Sequence, residues 1–595
     1  MKSFSLLPLH CALLLVFTVL TLPSHGIHAE ESMDKMWGDK AVKLAQSDPS
    51  RFALLDTHYG MFIHWGLYSS LGGVWKGKTY YGIGEWIKNR LVANIPTDEY
   101  MEIAKSFNPV NFDAEAIART AKEAGMKYIV ITSKHHEGFA MYHSKHPFNI
   151  VDGSPFHRDP MKELAEACRK NGLGFGFYYS HNQDWTAPGG SGGPTKNPDG
   201  TPATFEQYFH TKCLPQVREI CTQYGPLNFI WFDTPGSMPE EYIRELAAEV
   251  RKLQPNALMC SRIGQGLGDY SSQGDMDIPN RKIPKYWETC DTTNDSWSYS
   301  WYDQNWKTPK QILRGLISTI ARGGTYLLNV GLNDKGEIPR HPADYLVNAG
   351  DWIKRYPQVI YSADPSPWTH AQPWGDVTSR DNALYLSVFE WPSDGHLYLP
   401  GLKTEIKSAS ILAQGKKLPV EWSKGAESTD LHLPPMPTDR PASVLEVNFA
   451  EAPKVDDTLA IFPNCVTTLL AEFAEVKNAV KNDSRWMEKF GEWKQIKQVC
   501  NWKPDGEAIW NVNVLREGDY EVDLNYRSTG RCVWRIMTDE GYKMQNQQNG
   551  SGVLHSYKFG ILKFTKPGMH TVKVSLVEGD PLKTDLSFIS FTPVE

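Results

Sequence analysis

The sequence predicts an α/β protein, a (β/α)8-like barrel of the TIM type followed by one or two all-β sandwich domains. Three observations support this fold class. From about residue 50 to 357, apolar runs alternate with stretches of helical periodicity. Most of those apolar runs end in a polar, chemically active side chain. After Pro357 the helical periodicity stops, and short alternating runs separated by Pro, Gly and Asp take over.

Seven apolar runs are predicted as barrel strands, and a weaker eighth strand is predicted from Asp275 to Ile278. The seven runs are 60–65, 127–132, 174–180, 227–233, 257–262, 286–288 and 325–330. The predicted helices are 114–124, 160–170, 205–224, 239–253, 309–321 and 343–355. A doubly wound sheet has the same alternation, but it concentrates its site near one switch point. A barrel gathers all strand ends at one mouth, so the many polar strand ends favour a barrel.

The chain is expected to divide into four segments. Residues 1–29 combine Lys2, an apolar run and a small residue at Ala29, a pattern typical of a secretory signal peptide. This predicts a secreted or periplasmic protein whose mature chain is not inserted in a membrane; an uncleaved anchor is the alternative reading. Residues 30–360 are the predicted barrel, 361–468 a sandwich, and 469–595 a second sandwich that begins with a charged helical stretch.

The second sandwich is of the type found in carbohydrate-binding modules. Three of its aromatic residues, Trp502, Trp510 and Trp534, are candidates for stacking on sugar rings, with the core as the alternative place for them. In the barrel, the Gly- and Pro-rich segment 184–203 is predicted to be a flexible or lid-like loop on the active face, or else a solvated connection.

The amino-acid composition excludes few classes of protein, but the net charge is informative about binding partners. The chain has 595 residues, of which 41% are hydrophobic and 22% charged, as in ordinary globular proteins. A formal net charge of −7 provides no excess of basic residues for binding nucleic acid or an anionic membrane surface. We therefore expect neither partner.

Two carboxylates at predicted strand ends are the candidates for catalysis. Asp233 ends the run LNFIWFD, and Glu288 follows an aromatic in Tyr-Trp-Glu-Thr. Such a pair is what glycoside hydrolysis needs, with one carboxylate as nucleophile and the other as proton donor and base. Asp233 also has a plainer interpretation, because a carboxylate at a strand end is equally suited to start a turn or cap the next helix. Barrels of many other enzyme classes also place acids at their strand ends.

Four histidines near the predicted strand ends, His64, His135, His136 and His181, leave a metal-dependent barrel hydrolase open as an alternative. However, the first strand carries His-Trp, and no spacing in the chain forces coordination. Neutral imidazoles that donate to and accept from sugar hydroxyls explain these residues as well.

Taken together, the motifs resemble the α-L-fucosidases of glycoside hydrolase family 29. The resemblance covers roughly residues 36 to 465. It is carried by FIHWG from Phe62, KHHEGF from Lys134, FYYS from Phe177, WFD from Trp231, and Trp287-Glu288. It implies retaining exo-hydrolysis of terminal α-L-fucose from a fucosylated oligosaccharide or glycoconjugate, without a metal or another cofactor.

The resemblance also implies roles for individual residues. Asp233 matches the nucleophile, and Glu288 matches the acid/base less securely because this segment varies in the family and has Ser298 where Gly is common. Asp291 and Asp295 are the reserve candidates for the acid/base. The implied substrate-binding residues are Phe62, His64, Glu85, Trp86, His135, His136, Tyr178, Trp231 and Arg262. A non-catalytic fucosylated-glycan-binding protein is the competing class.

Overall fold

The computed structural model describes residues 49–283, 286–486 and 494–594. The predicted signal peptide lies outside these residues. The first part of the described chain is a barrel whose eight parallel strands alternate with helices on the outside, as the sequence predicts. The strands are β1 Tyr59–His64, β2 Tyr128–Lys134, β3 Gly174–Ser180, β4 Phe229–Asp233, β5 Leu258–Met259, β6 Ser271–Ser272, β7 Trp287–Thr292 and β8 Thr325–Gly331.

The order of strands around the barrel is β5-β4-β3-β2-β1-β8-β7-β6. A parallel bridge between Cys260 and Tyr270, the residues next to β5 and β6, joins the two ends of this order and closes the ring. The longer helices are α1 Ala114–Glu123, α2 Pro160–Asn171, α3 Leu214–Gln223, α4 Glu240–Leu253, α5 Pro309–Ala321 and α6 Arg340–Arg355. Between β5 and β6 the structure has only a 3₁₀ turn, Ser261–Ile263, so the barrel is irregular at this point.

Local signals explain where several helices begin. The side chains of Asp113 and Asp159 accept hydrogen bonds from the first turns of α1 and α2, and Thr308 forms a capping box with Gln311 at the start of α5. The buried residues of α4, Ile243, Leu246, Ala247 and Val250, follow helical spacing and face the barrel core.

Two predicted strands were placed wrongly. The strand predicted to end at Glu288 runs from Trp287 to Thr292, so Glu288 lies at its amino end. The strand continues because its later polar side chains have partners: Thr289 donates to the Asp277 carbonyl and Asp291 accepts from Tyr326. The eighth strand is Ser271–Ser272 rather than 275–278. Two serines carry no apolar signal, and the strand exists through its parallel pairing with β7.

The next part of the chain forms two antiparallel sheets around a separate core. One has the order β9-β10-β16-β12-β13 and the other β11-β15-β14. Their strands are β9 Gly375–Arg380, β10 Ala383–Val388, β11 His396–Pro400, β12 Ile406–Ala413, β13 Lys416–Pro419, β14 Glu421–Lys424, β15 Ser428–His432 and β16 Ser443–Phe449. We call this unit the first sandwich.

The last part of the chain, which we call the second sandwich, also consists of two sheets. Its strands are β17 Ala460–Ile461, β18 Thr467–Leu470, β19 Glu475–Lys477, β20 Val480–Trp486, β21 Lys494–Cys500, β22 Glu507–Val514, β23 Gly518–Arg527, β24 Thr529–Thr538, β25 Lys543–Ser551, β26 His555–Phe564, β27 Gly568–Glu578 and β28 Asp585–Pro593. The helical stretch expected at 469–481 is not formed: three strands, β18, β19 and β20, cover most of it, and its helical part is the 3₁₀ turn Ala471–Phe473. The predicted domain boundaries themselves stay predictions.

Sugar stacking by the three tryptophans of the second sandwich is contradicted by their burial. Trp502 is 5% exposed, and Trp510 and Trp534 are fully buried in the core of this unit. Trp502 and Trp510 donate their indole N–H groups to backbone carbonyls. Among the described residues, no helix has the length and apolar character needed to cross a membrane.

Candidate active site

The predicted site residues from β1, β2, β3 and β4 meet at the carboxyl ends of these strands. Parallel pairing brings Tyr178 beside Trp231, and Ser180 beside Asp233. His64 is the last residue of β1, and His135 and His136 directly follow β2. The register of neighbouring strands therefore collects side chains that are far apart in sequence at one mouth.

Asp233 is held by groups from three other parts of the barrel. The Tyr178 hydroxyl donates to its Oδ2 at 2.9 Å, and Arg262 Nη1 donates to its Oδ1 at 3.2 Å. His136 Nε2 lies 3.6 Å from Oδ2. The side chain is 15% exposed, so this oriented carboxylate still faces the pocket. A fixed, partly accessible carboxylate suits a nucleophile better than a turn residue.

The histidines of the pocket are kept neutral by burial. Burial lowers the pKa of His64 to about 4, and burial together with the positive charge of Lys134 lowers the pKa of His136 to about 3. His135 is buried against Tyr178, with ring centroids 5.2 Å apart, and its pKa is also well below the ordinary value because of burial. Neutral imidazoles of this kind both donate and accept hydrogen bonds.

The tautomer of His64 follows from its neighbour on β8. Asn329 Nδ2 donates to the Trp297 carbonyl at 2.6 Å, which directs its Oδ1 towards His64 Nδ1 at 2.7 Å. Because an amide oxygen only accepts, His64 Nδ1 carries the proton. His64 Nε2 is then an acceptor for a hydroxyl group.

The apolar part of the pocket is built around Phe62. Its ring centroid lies 5.0 Å from that of Trp231, 4.7 Å from that of His64 and 6.4 Å from that of Trp297. Trp297 was not among the predicted residues. It follows β7 in a loop without regular structure, and no periodic signal distinguishes it from the other tryptophans of this chain.

Glu85 and Trp86 form another wall of the mouth. The Ser298 backbone N–H donates to Glu85 Oε2 at 3.0 Å, and burial raises the pKa of Glu85 to about 8. Trp86 is half-buried between His136 and Trp185, with ring centroids 6.0 and 5.4 Å away. Trp185 opens the segment predicted to be a lid, and it is 97% buried, so this end of the segment belongs to the pocket wall.

Arg262 joins Asp233 to a second carboxylate that the sequence interpretation missed. Arg262 Nη2 donates to Asp275 Oδ1 at 2.6 Å, while its Nη1 donates to Asp233. Asp275 is 19% exposed. Burial raises the pKa of Asp275, the Arg262 charge opposes this, and the Asp233 charge raises it further. Asp275 follows a parallel strand, which is the kind of position that indicates a site residue. It was missed because this strand is only two serines long and was predicted at 275–278, where it included Asp275 itself.

Glu288, the predicted acid/base, lies deeper in the barrel. It is fully buried at the amino end of β7, and Trp231 Nε1 donates to its Oε1 at 2.9 Å. The Tyr128 hydroxyl lies 3.5 Å from Oε2. Burial raises the pKa of Glu288 to about 7, although the Trp231 hydrogen bond opposes the shift. Trp231 precedes Asp233 by two residues, so both side chains lie on the same face of β4. By accepting the Trp231 hydrogen bond, Glu288 supports this wall of the pocket from deeper in the barrel.

The two reserve carboxylates are occupied elsewhere. Asp291 accepts from the Tyr326 hydroxyl at 2.6 Å and from Lys307 Nζ at 3.1 Å. Asp295 accepts from Asn305 Nδ2 at 3.0 Å. Neither side chain shares a partner with Asp233 among these contacts.

The structure does not group the barrel histidines around a common ligand position. Within residues 49–283, 286–486 and 494–594, one group of three potential metal ligands has its ligand atoms within 4.8 Å of one another. It consists of His396, Asp430 and His432 and lies in the first sandwich. His181 directly follows β3 and is fully buried, with Nε2 3.2 Å from the Ile263 carbonyl. The expectation that the active site uses no metal stays a prediction.

Comparisons with known proteins agree with this architecture. Residues 28–358 match the family described as alpha-L-fucosidase. The tissue alpha-L-fucosidase of Rattus norvegicus is 28% identical over 412 residues, which cover 64% of this chain and 85% of the relative. The crystal structure of an alpha-L-fucosidase from Vibrio sp. strain EJY3 has a TM-score of 0.74 and 30% identity, with 92% of this chain and 97% of that chain covered.

Alpha-L-fucosidase isoenzyme 1 from Paenibacillus thiaminolyticus is similar over about two thirds of the chain. Its TM-score is 0.61 and its identity 32%, and the alignment covers 68% of this chain and 99% of that chain. The family match spans more than half of the 595 residues and includes every predicted site residue. The chain therefore belongs to the alpha-L-fucosidase family of glycoside hydrolases.

Proposed function

We propose that this protein is a retaining exo-α-L-fucosidase that releases terminal α-L-fucose from fucosylated oligosaccharides or glycoconjugates. The observation that carries the proposal is Asp233, a carboxylate held by Tyr178 and Arg262 at the mouth of a pocket of neutral histidines and aromatic rings. In the first step the Asp233 carboxylate attacks the anomeric carbon as the glycosidic bond breaks. A protonated carboxyl group gives its proton to the departing oxygen.

In the second step the same acid/base removes a proton from water, and the water oxygen displaces Asp233 from the anomeric carbon. Fucose leaves with its original anomeric configuration because two inversions occur at one carbon. The side chains of Tyr178 and Arg262 keep the carboxylate in place through both displacements, which lowers the cost of orienting it.

Recognition of fucose follows from the two kinds of surface in the pocket. Fucose is a 6-deoxy sugar, so it presents a methyl group beside its ring hydroxyls. The aromatic cluster of Phe62, Trp231 and Trp297 is suited to the methyl group, and the neutral His64, His135 and His136 are suited to the hydroxyls. Glu85 and Trp86 extend this surface at the rim.

For the acid/base, Asp275 is the stronger candidate and Glu288 the alternative. Asp275 is partly exposed and shares Arg262 with Asp233, whereas Glu288 is fully buried and accepts from the Trp231 indole. Burial raises the pKa of both carboxyl groups, which favours the protonated form that an acid needs, so accessibility and the shared Arg262 distinguish the two candidates. A retaining mechanism further requires the two reacting carboxyl groups to lie about 5 to 5.5 Å apart.

The nucleophile is tested with Asp233→Ala. We expect kcat on an aryl α-L-fucoside to fall at least about a thousandfold, because no carboxylate remains to form the covalent intermediate. Added azide should restore turnover and yield β-L-fucosyl azide, since a single displacement inverts the anomeric centre. Asp344→Ala, on the exposed face of α6, is the matched control and should retain full activity.

An Asp233→Ala variant with normal turnover would exclude the proposed mechanism. A wild-type protein that binds fucosides without hydrolysing them would favour the glycan-binding alternative.

The acid/base is tested by comparing Asp275→Ala with Glu288→Gln. Removal of the true acid should reduce kcat/KM about 10²- to 10⁴-fold for a poor leaving group but far less for dinitrophenolate, which leaves without a proton. Azide should then give α-L-fucosyl azide, because the first inversion by Asp233 is intact. We expect this behaviour for Asp275→Ala. If Glu288→Gln shows it and Asp275→Ala does not, Glu288 is the acid/base.

A further inference from the structure

The outer face of the first sandwich carries a cluster of ligand-type side chains that the chemistry proposed above does not use. His396 on β11 lies directly opposite His432 on the neighbouring antiparallel strand β15. Asp430 lies two residues before His432 on the same strand, so its side chain points to the same face. The alternate residues Leu397 and Leu431 are buried in the core, which leaves the three polar side chains together on the outside.

The ligand atoms of this cluster already lie close together. His396 Nδ1 is 2.8 Å and His432 Nε2 is 3.8 Å from Asp430 Oδ2, and one ligand atom from each residue lies within 4.8 Å of the others. Ligand atoms around a tetrahedral metal ion with bonds of about 2.0 to 2.2 Å lie roughly 3.3 to 3.6 Å apart, so His396 Nδ1 needs to move slightly away from Asp430 Oδ2 and His432 Nε2 slightly towards it. Small side-chain rotations are sufficient.

A second observation concerns the other oxygen of the same carboxylate. Asp430 Oδ1 is buried and has no hydrogen-bond partner among the protein atoms. Buried carboxylate oxygens without a partner are unfavourable, and they commonly mark a bound ion or water. The His396 ring is in addition stacked near Tyr398, with centroids 6.2 Å apart and planes 20° apart, which restricts its orientation.

We propose that His396, Asp430 and His432 form a binding site for a divalent transition metal, with zinc as the favoured ion and water as the remaining ligand. Two imidazoles and one carboxylate match the ligands of zinc, whereas calcium and magnesium prefer oxygen ligands throughout. Both imidazoles are partly exposed, 44% for His396 and 43% for His432, so an ion reaches the site from solvent.

The position of the site indicates what the ion does there. It would link β11 to β15 across one sheet of the first sandwich. Asn464, in the loop between β17 and β18 of the second sandwich, donates to the His396 carbonyl at 2.8 Å and to Asp394 at 2.9 Å. The metal therefore fixes the strand to which this loop of the second sandwich is attached, and its role is structural.

Zinc titration of the untagged full chain tests the proposal, after metal removal with a chelator. We expect wild type to bind one zinc ion more than the double variant His396→Gln/His432→Gln. The single variant Asp430→Asn, which keeps the shape of the side chain, should weaken this binding more than about tenfold. His341→Gln, an exposed histidine on α6, is the matched control and should bind as wild type does. Circular dichroism and fucosidase activity show whether each variant is folded.

Two further measurements report on the site itself. Zinc should raise the midpoint of thermal unfolding in wild type and His341→Gln but not in the double variant, because an ion that binds only the folded state stabilises it. Cobalt(II) should give a four-coordinate absorption spectrum that the double variant lacks, and excess calcium or magnesium should not displace it. Equal zinc stoichiometry in wild type and double variant, or no zinc binding by wild type at millimolar concentration, would overturn the proposal.

Discussion

At the scale of single residues, the charge state of a carboxyl group depends on how deeply the fold places it. Asp233 and Glu288 are indistinguishable as carboxylates that follow aromatic residues in the sequence. In the structure Asp233 is bound by a guanidinium at the mouth, whereas Glu288 is fully buried below Trp231 and its pKa is raised to about 7. Burial disfavours the ionised form of Glu288 and outweighs the Trp231 hydrogen bond, the Arg262 charge and the Tyr128 hydroxyl, which all favour it.

This burial makes stability depend on pH through Glu288. Between its unfolded pKa of 4.5 and its folded pKa of about 7, the folded state holds a proton that the unfolded state has lost. The stability that this group contributes is therefore present below pH 4.5 and lost as the pH rises to about 7. Glu288→Gln, which has no proton to lose, should gain stability relative to wild type over this window, by roughly 3 kcal/mol at pH 8.

Urea denaturation at several pH values measures this difference. Glu245→Gln on the exposed side of α4 is the matched control and should show no such trend. A constant stability difference between Glu288→Gln and wild type from pH 4.5 to 8 would contradict the raised pKa.

At the scale of elements, the loop after β3 is tied to the end of β2 by buried charges. Asp184 Oδ2 lies 3.0 Å from Lys134 Nζ and 2.9 Å from Lys212 Nζ, and all three side chains are almost completely buried. Although burial opposes it, the two ammonium groups hold the pKa of Asp184 well below its usual range. Lys134 precedes His135 and His136, so the same cluster supports the histidine pair at the mouth.

Asp184→Ala leaves two buried ammonium groups without their shared partner. We expect it to lower the free energy of unfolding of the barrel by roughly 3 to 5 kcal/mol. We also expect KM for an aryl fucoside to rise, because the ends of β2 and β3 lose their connection. Denaturation curves and steady-state kinetics give the two values. Asp199→Ala, in the exposed part of the same loop, should change neither; an Asp184→Ala variant as stable as Asp199→Ala would show that the cluster does not hold the loop.

At the scale of the whole molecule, one face of the first sandwich packs into the hydrophobic core of the barrel, while the interior of this sandwich forms a core of its own. Tyr385, Leu412 and Val444 of the sandwich belong to the same buried cluster as the barrel helices, whereas the second sandwich has its own cluster. A buried ion pair reinforces the junction, with Arg322 Nη1 2.6 Å from Asp376 Oδ1. We therefore expect the barrel and the first sandwich to unfold together, apart from the second sandwich.

Asp376→Ala tests this cooperativity. It leaves Arg322 buried without its partner and should lower the temperature of the shared transition, as seen by calorimetry, while the transition of the second sandwich stays in place. Loss of fucosidase activity should follow the shared transition. Glu405→Ala, an exposed carboxylate of the first sandwich, serves as control. If Asp376→Ala shifts a transition that leaves activity intact, the barrel and this sandwich are independent units.

The sequence by itself determined the fold class and most barrel strands, because hydrophobic periodicity is a local property, and its motifs predicted the pocket residues from Phe62 to Arg262 through their resemblance to a known family. Only the tertiary structure decided that Asp275 shares Arg262 with Asp233, that Glu288 lies beneath Trp231, and that the tryptophans of the second sandwich are core. These relations depend on the register between strands that are distant in sequence, and on a strand of two serines that exists only through its pairing with β7.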